Sequence, residues 1–317
     1  MPIENVSSSR IGIRPPGFRL PESAHIGKVR LAVSDLDQSV EFYSGIIGLD
    51  VLESKGSLAR LGTRDNNRVL LELEAVPAVN PNGRRARLGL YHSAFLLPTR
   101  ADLGSFVRYL TEKKIHFGAG DHIYSEAIYL TDPDGLGVEV YADRPQSEWV
   151  YEGAEIVSAT NSVNLAALLK IAGNRWSGVP KGTTVGHVHL YVGDLKEATK
   201  FYTEGLGLDI VTWRYPGALF TSAGGYHHHV GLNVWAAGSP VASATDARLL
   251  FWEMVFPDIE SRERALESLR SAGFNSSVIA NGVTTVTDLW GITAALVIDS
   301  LGEPLHSYED RQSLFED

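Results

Sequence analysis

The sequence predicts an α+β protein built from four consecutive β-α-β-β-β modules, and three observations carry that expectation. The first is an internal repeat. DLDQSVEFYSGIIGLDVL (35–52) and DLKEATKFYTEGLGLDIV (194–211) are identical at seven of eighteen positions, Phe42/Phe201 and Tyr43/Tyr202 among them, at an offset of 159. The second is that the same offset lays FLLPTRADLGSFVRYL (95–110) over MVFPDIESRERALESL (254–269), with Pro98 on Pro257 and Leu110 on Leu269. Two unlike modules were therefore copied together. The third is that strand and helix periodicities follow one another in the same order within each module.

The modules begin near Ile26, Tyr91, Val185 and Leu249. The opening strands alternate, as in Val29–Val33 of module one and Val188–Val192 of module three. An amphipathic helix follows, marked by Val40, Phe42 and Tyr43 in module one and by Leu103, Phe106, Val107 and Leu110 in module two. Short strands rich in Val, Ile, Leu and Tyr complete each module, separated by Gly turns and by turns such as Asp-Pro-Asp-Gly at 132–135. The stretch from Asp143 to Gly182 breaks the plan and reads as a linker with one helix near Val163–Ala172. The expected organisation is an N-terminal arm (1–24), a first half (25–145), a linker (146–182), a second half (183–302) and a C-terminal tail (303–317).

A length of 317 residues suggests two domains or one large one. A hydrophobic fraction of 44% with 21% charged residues is globular rather than disordered composition. The 38 acidic against 28 basic residues argue against a nucleic-acid partner, which requires a clustered positive footprint. With no cysteine, disulfides, zinc–thiolate sites, iron–sulfur clusters and a Cys nucleophile are excluded, so any metal is held by His, Asp or Glu. The first 25 residues carry Pro2, Pro15, Pro16 and Pro21 without an apolar signal segment, and no 18-residue apolar run follows. The expectation is a cytoplasmic protein with no membrane partner, and paired modules with an acidic surface leave room for a homo-oligomer.

The module plan over about residues 25–300 resembles the vicinal oxygen chelate superfamily of glyoxalases, type I extradiol dioxygenases and fosfomycin- or bleomycin-resistance proteins. The resemblance implies that modules pair into two cup-shaped half-barrels, with metal ligands on the first and last strands of a module. GLYHSAFLLP (89–98), SEAIYLTDPDGLGVEVYADRP (125–145), GHVHLYVGDL (186–195) and SAGGYHHHVGLN (222–233) are similar to motifs of the catechol-2,3-dioxygenase-like group of two-half bacterial proteins.

At the ligand positions so implied, the two copies differ. His187 stands where module one has Lys28, His92 where module four has Phe251, and Glu139 where module four has Ala295. The implied metal set is His92, Glu139 and His187, drawn from modules two and three. Strand alternation supports it: Val188, Leu190 and Val192 face the helices and leave His187, His189 and Tyr191 on the cup side. Most extradiol enzymes take their ligands from the last two modules and a hydroquinone-cleaving branch from modules one and four, so this chain requires the complementary pairing of two with three. Two imidazoles and a carboxylate with open positions form the facial triad of non-haem ferrous enzymes.

The segment GGYHHHVGLNVW (224–235) reads as the last strand of module three. His228-His229-Val230-Gly231-Leu232 resembles the extradiol segment whose His is the acid–base group, and alternation puts His228 with Val230 and Leu232, opposite His227 and His229. The resemblance gives Tyr129 and His122 to the substrate oxygens, at a spacing of seven residues where the family has nine. His189, Trp213, Tyr215 and Trp235 are candidates for the wall of a ring pocket. The implied activity is ring cleavage of catechol or a substituted catechol next to the diol, with Fe(II) and O2. Mn(II), Zn(II) and Ni(II) are the alternative metals. A glyoxalase-type isomerase, for which His229 is the candidate fourth ligand, and a metal-free binding protein are the alternative functions. Cleavage of another diol or a hydroquinone is a third.

Overall fold

In a computed structural model, residues 11–65, 67–82, 87–279 and 283–299 are described. The tail expected over 303–317 and the first ten residues of the N-terminal arm lie outside them. All four modules follow the expected plan. Module one runs β1 (His25–Val33), α1 (Leu36–Glu41), β2 (Asp50–Lys55), β3 (Leu58–Thr63) and β4 (Arg68–Ala75). Module two runs β5 (Gly89–Leu96), α2 (Arg100–Lys113), β6 (Gly118–Asp121), β7 (Ser125–Thr131) and β8 (Gly137–Asp143). The linker holds a hairpin, β9 (Tyr151–Glu152) and β10 (Glu155–Ile156), and a helix, α3 (Leu165–Ile171). Module three has β11 (Thr184–Tyr191), α4 (Leu195–Thr199), β12 (Asp209–Thr212), β13 (Ala218–Ser222) and β14 (Val230–Asn233). Module four has β15 (Arg248–Phe256), α5 (Ile259–Ser271), β16 (Ser276–Val278), β17 (Thr284–Thr287) and β18 (Thr293–Ile298).

The helices start where the sequence supplies caps. The Asp35, Asp194 and Asp258 side chains accept from the backbone N–H three residues on, and Thr99 with Asp102 closes a capping box on α2. In both copies of the Phe-Tyr repeat the short helix widens into a π-turn, Phe42–Ile47 and Lys200–Gly205, which buries both aromatic rings. The Tyr43 hydroxyl donates to Asp132 Oδ2 at 3.0 Å, and Tyr202 repeats this with Asp288 at 2.9 Å. Each tie crosses from one module to the next, and thereby from one sheet to the other.

Two eight-stranded curled sheets result. One has the order β12-β13-β14-β11-β5-β8-β7-β6 and the other β16-β17-β18-β15-β1-β4-β3-β2. Modules two and three therefore share one half-barrel, modules one and four the other, and each sheet draws one module from each half of the sequence. Helix-facing residues of both sheets, among them Val29, Leu31, Phe95, Val138, Val188, Leu190 and Trp252, merge with Phe106, Leu110, Tyr202 and Leu269 into one core. That burial leaves the opposite pleat of each strand free to line a cup. No helix among the described residues is long and apolar enough to cross a membrane.

Candidate metal centre

The seam between modules two and three is an antiparallel pair, β5 with β11, in which His92 lies opposite His189 and Ala94 opposite His187. On its other side β5 runs parallel to β8, with Ala94 beside Glu139. Ala94 thus sits between Glu139 and His187, and its methyl group leaves room for both longer side chains to meet above it. His92 Nε2 lies 3.0 Å from Glu139 Oε2, His187 Nε2 lies 3.5 Å from the same oxygen, and the two Nε2 atoms are 3.3 Å apart. One ligand atom from each of the three falls within 4.8 Å of the others, a group that does not extend to His189 or His228.

All three side chains are buried. Burial pushes the His187 imidazole down to about 4, so it is neutral with a free lone pair. Burial acts on the Glu139 carboxyl in the opposite sense, but the imidazoles of His187 and His92 outweigh it and hold the group well below its ordinary value. A neutral imidazole and a carboxylate are protonation states that a cation binds. A buried carboxylate needs a positive partner, and among the described residues no Lys or Arg is paired with Glu139. The donor set and its electrostatics fit a divalent metal ion.

His189 stands beside this group, its ring centroid 5.0 Å from that of His92. Burial, then the nearby imidazoles, pushes His189 well below its ordinary value. Tyr91, Phe220 and Trp235 surround it at 5.1, 5.5 and 5.5 Å. Tyr215 packs edge-on to Phe220 at 5.7 Å, and half-exposed Trp235 stands at the rim. Trp213 is placed elsewhere: its backbone N–H donates to Glu155 Oε1 of the linker hairpin at 2.6 Å, and among the described residues its ring makes no aromatic contact with this wall.

The histidine-rich segment departs from the sequence expectation. Only Val230–Asn233 of it is strand: β13 ends at Ser222, β14 begins at Val230, and Gly224 (φ 64°) and Gly225 (φ 73°) turn the chain through the three histidines between them. Alternation therefore fails for His228. Val230 and Leu232 face the core, whereas the His228 ring lies in the cup, 4.1 Å from His187 and 4.8 Å from Phe220. His227 is wholly buried and stacks on Tyr124. His229 Nδ1 accepts the Ala223 N–H at 3.1 Å, and the inward position on β14 is Gly231.

His122 and Tyr129 do come together. His122 occupies the turn between β6 and β7, with its N–H donating to the Ser125 carbonyl at 2.9 Å, and its ring folds back onto β7. Tyr129 pairs with Glu139 across β7 and β8 and lies 5.7 Å from the His92 ring. The sequence reading missed Tyr91, Phe220, Tyr124 and Asp143. The last is two pleats beyond Glu139 on β8, so the period-2 pattern through Tyr141 was the available signal.

The second cup has different chemistry. Lys28 Nζ lies 3.3 Å from Glu72 and 3.3 Å from Glu253, and Arg30 and Arg60 also pair with Glu72. A lysine ammonium stands there between carboxylates, where the first cup gathers imidazoles.

A family model described as the Glyoxalase/Bleomycin resistance protein/Dioxygenase superfamily matches residues 25–140 and 184–292. The chain is 42% identical over 282 residues to a catechol-2,3-dioxygenase of Bacillus subtilis (strain 168), covering 87% of this chain and 98% of that one. A solved structure of glyoxalase I from Zea mays is similar with a TM-score of 0.52 at 17% identity, over 87% of this chain and 92% of that one. A variant of the same maize enzyme, V278E, gives 0.54 at 15% identity, again over 87% and 92%. At such identities the structures bear on the fold alone.

Proposed function

Since the chain belongs to the glyoxalase/bleomycin resistance protein/dioxygenase superfamily, we propose that it is an extradiol ring-cleaving dioxygenase, acting on catechol or a substituted catechol with ferrous iron and O2. The observation that carries this is the convergence of His92, Glu139 and His187 on one point at the floor of an aromatic-walled cup. Two nitrogens and one carboxylate oxygen leave one face of a six-coordinate ion open. Those three residues would hold the metal, which when bound orients both reactants and takes up developing charge.

The remaining roles fall to the chain's own atoms. His228 Nε2, buried and without a hydrogen-bond partner among the described residues, is placed to take a proton from the diol. Burial, and after it the neighbouring imidazoles of His187 and His227, pushes its pKa well below the ordinary value, so it is neutral and able to accept. Tyr129 would hydrogen-bond a substrate oxygen. Tyr91, His189, Phe220 and Trp235 would hold the ring and exclude water.

Anaerobic reconstitution with ferrous iron, followed by catechol and air, tests the proposal. A yellow ring-cleavage product with matching oxygen uptake is expected. Retention of zinc or nickel together with isomerisation of a hemithioacetal, and no oxygen uptake with catechol, would overturn it.

A further inference from the structure

Strand β8 turns Glu139, Tyr141 and Asp143 to the cup side in alternation, and Asp143 begins a hydrogen-bonded chain that ends at the candidate base. Asp143 Oδ1 lies 2.8 Å from His227 Nε2, and Asp143 Oδ2 accepts from the Tyr226 hydroxyl at 3.0 Å. On the far side of the same ring, His227 Nδ1 lies 2.9 Å from His228 Nδ1. The His227 plane is fixed by Tyr124, stacked at 4.3 Å and 11°, and by Trp149 at 5.4 Å. His228 ends the chain with a buried Nε2 that has no hydrogen-bond partner among the described residues.

The order of donors and acceptors fixes the protons. A carboxylate only accepts, so His227 Nε2 carries the hydrogen. In its neutral form His227 carries only that one N–H, so its Nδ1 is then bare and accepts. His228 Nδ1 must then be the donor, and His228 Nε2 is left with its lone pair. We infer that Asp143 and His227 are positioning residues that hold His228 as its Nδ1–H tautomer, with Nε2 as the base presented to the cup. This deepens the ring-cleavage proposal and rests on it for the identity of the proton donor, a diol hydroxyl.

A carboxylate that orients an imidazole by fixing its tautomer plays this part in hydrolytic triads.

Ring-15N histidine labelling with long-range 1H–15N correlation, on the metal-free and the zinc-loaded protein, reads the tautomers directly. His227→Gln and His228→Gln variants assign the signals. In the wild-type chain His228 is expected to show a pyrrole-type Nδ1 and a pyridine-type Nε2. In Asp143→Asn the Tyr226 hydroxyl takes the amide oxygen, the amide NH2 faces His227 Nε2, and the pattern at His228 inverts. A wild-type His228 with its hydrogen on Nε2, or an Asp143→Asn spectrum unchanged from wild type, overturns the inference. With iron and catechol, Asp143→Asn is expected to lower kcat about 10²-fold at unchanged KM and iron content. Loss of iron in step with kcat would make Asp143 structural and refute its positioning role. Failure of the wild-type enzyme to cleave catechol would sink the ring-cleavage proposal while leaving the tautomer result standing.

Discussion

His122 Nε2 lies 2.5 Å from the Tyr129 hydroxyl, and His122 Nδ1 lies 2.7 Å from the Ala159 carbonyl oxygen. A carbonyl oxygen only accepts, so His122 Nδ1 carries a hydrogen. Burial, with the Glu139 charge beside it, pushes the Tyr129 phenol well above its ordinary value, so it remains protonated. Its hydroxyl stands between two groups that can accept from it, His122 Nε2 and the Glu139 carboxylate. Tyr129→Phe is expected to lower kcat for catechol about 10- to 100-fold while iron content stays at the wild-type level. Iron loss in that variant, measured by metal analysis, would show that the phenol holds Glu139 instead.

The two cups predict opposite responses to loss of a charged group. Glu139→Gln or His187→Ala removes a donor from the imidazole–carboxylate group and is expected to weaken metal retention by about 10²-fold or more, beyond the loss typical of an outer-shell change. Lys28→Ala in the other cup is expected to leave metal stoichiometry unchanged. It strips one cation from the buried Glu72 carboxylate, which keeps Arg30 and Arg60, and costs roughly 1–3 kcal/mol in urea unfolding. Metal titration of the three variants separates these outcomes, and metal loss on Lys28→Ala would place the ion in the wrong half-barrel.

The module plan is legible in the sequence because amphipathic spacing, caps and Asp-Gly turns each act locally, and the duplicated Phe-Tyr pair marks where each helix packs. The cup-facing positions of β5, β8 and β11 are legible for the same reason: a regular strand alternates, so His92, Glu139, His187 and His189 share a face. Alternation failed where the strand did. The glycine pair at 224–225 reorients the three histidines, and no local pattern shows that His228 rather than His229 turns inward. Trp213 was misplaced because an aromatic residue near a strand end reads alike whether it meets the cup or the linker. The Asp143–His227–His228 chain joins residues more than eighty positions apart and becomes visible only when β8 and the loop before β14 are brought together.

Gly231 is the inward residue of β14 opposite His189. A Cβ at Gly231 would lie 2.9 Å from His189 Cδ2 and Cγ. The imidazole cannot retreat, since His92, Tyr91, Phe220 and Trp235 close on it from the other sides. Gly231→Ala is therefore expected to cost about 1–3 kcal/mol from overpacking and to raise KM for catechol through the displaced ring. Thermal unfolding and steady-state kinetics check both parts. An unaltered Tm with wild-type KM would mean that the wall is looser than these distances require.

The paired ties Tyr43–Asp132 and Tyr202–Asp288 give the fold a pH dependence with a definite sign. Burial pushes Asp132 up to about 7 and Asp288 up to about 6, against the hydrogen bonds that Leu136 and Tyr43, and Ile292, Trp290 and Tyr202, donate to them. An aspartate in the unfolded chain titrates near 3.9. Between that value and the folded one, the native state binds a proton that the unfolded chain has released. Stability from this source is full below about pH 4, falls as pH rises, and is gone above about 6 for Asp288 and about 7 for Asp132. Each pH unit inside the window costs up to about 1.4 kcal/mol per group. Urea midpoints measured from pH 4.5 to pH 7.5 should therefore fall less steeply with pH in an Asp132→Asn, Asp288→Asn double variant than in the wild-type chain. A wild-type curve that rises relative to the double variant across that range would mean that the donated hydrogen bonds, rather than burial, set both carboxyls.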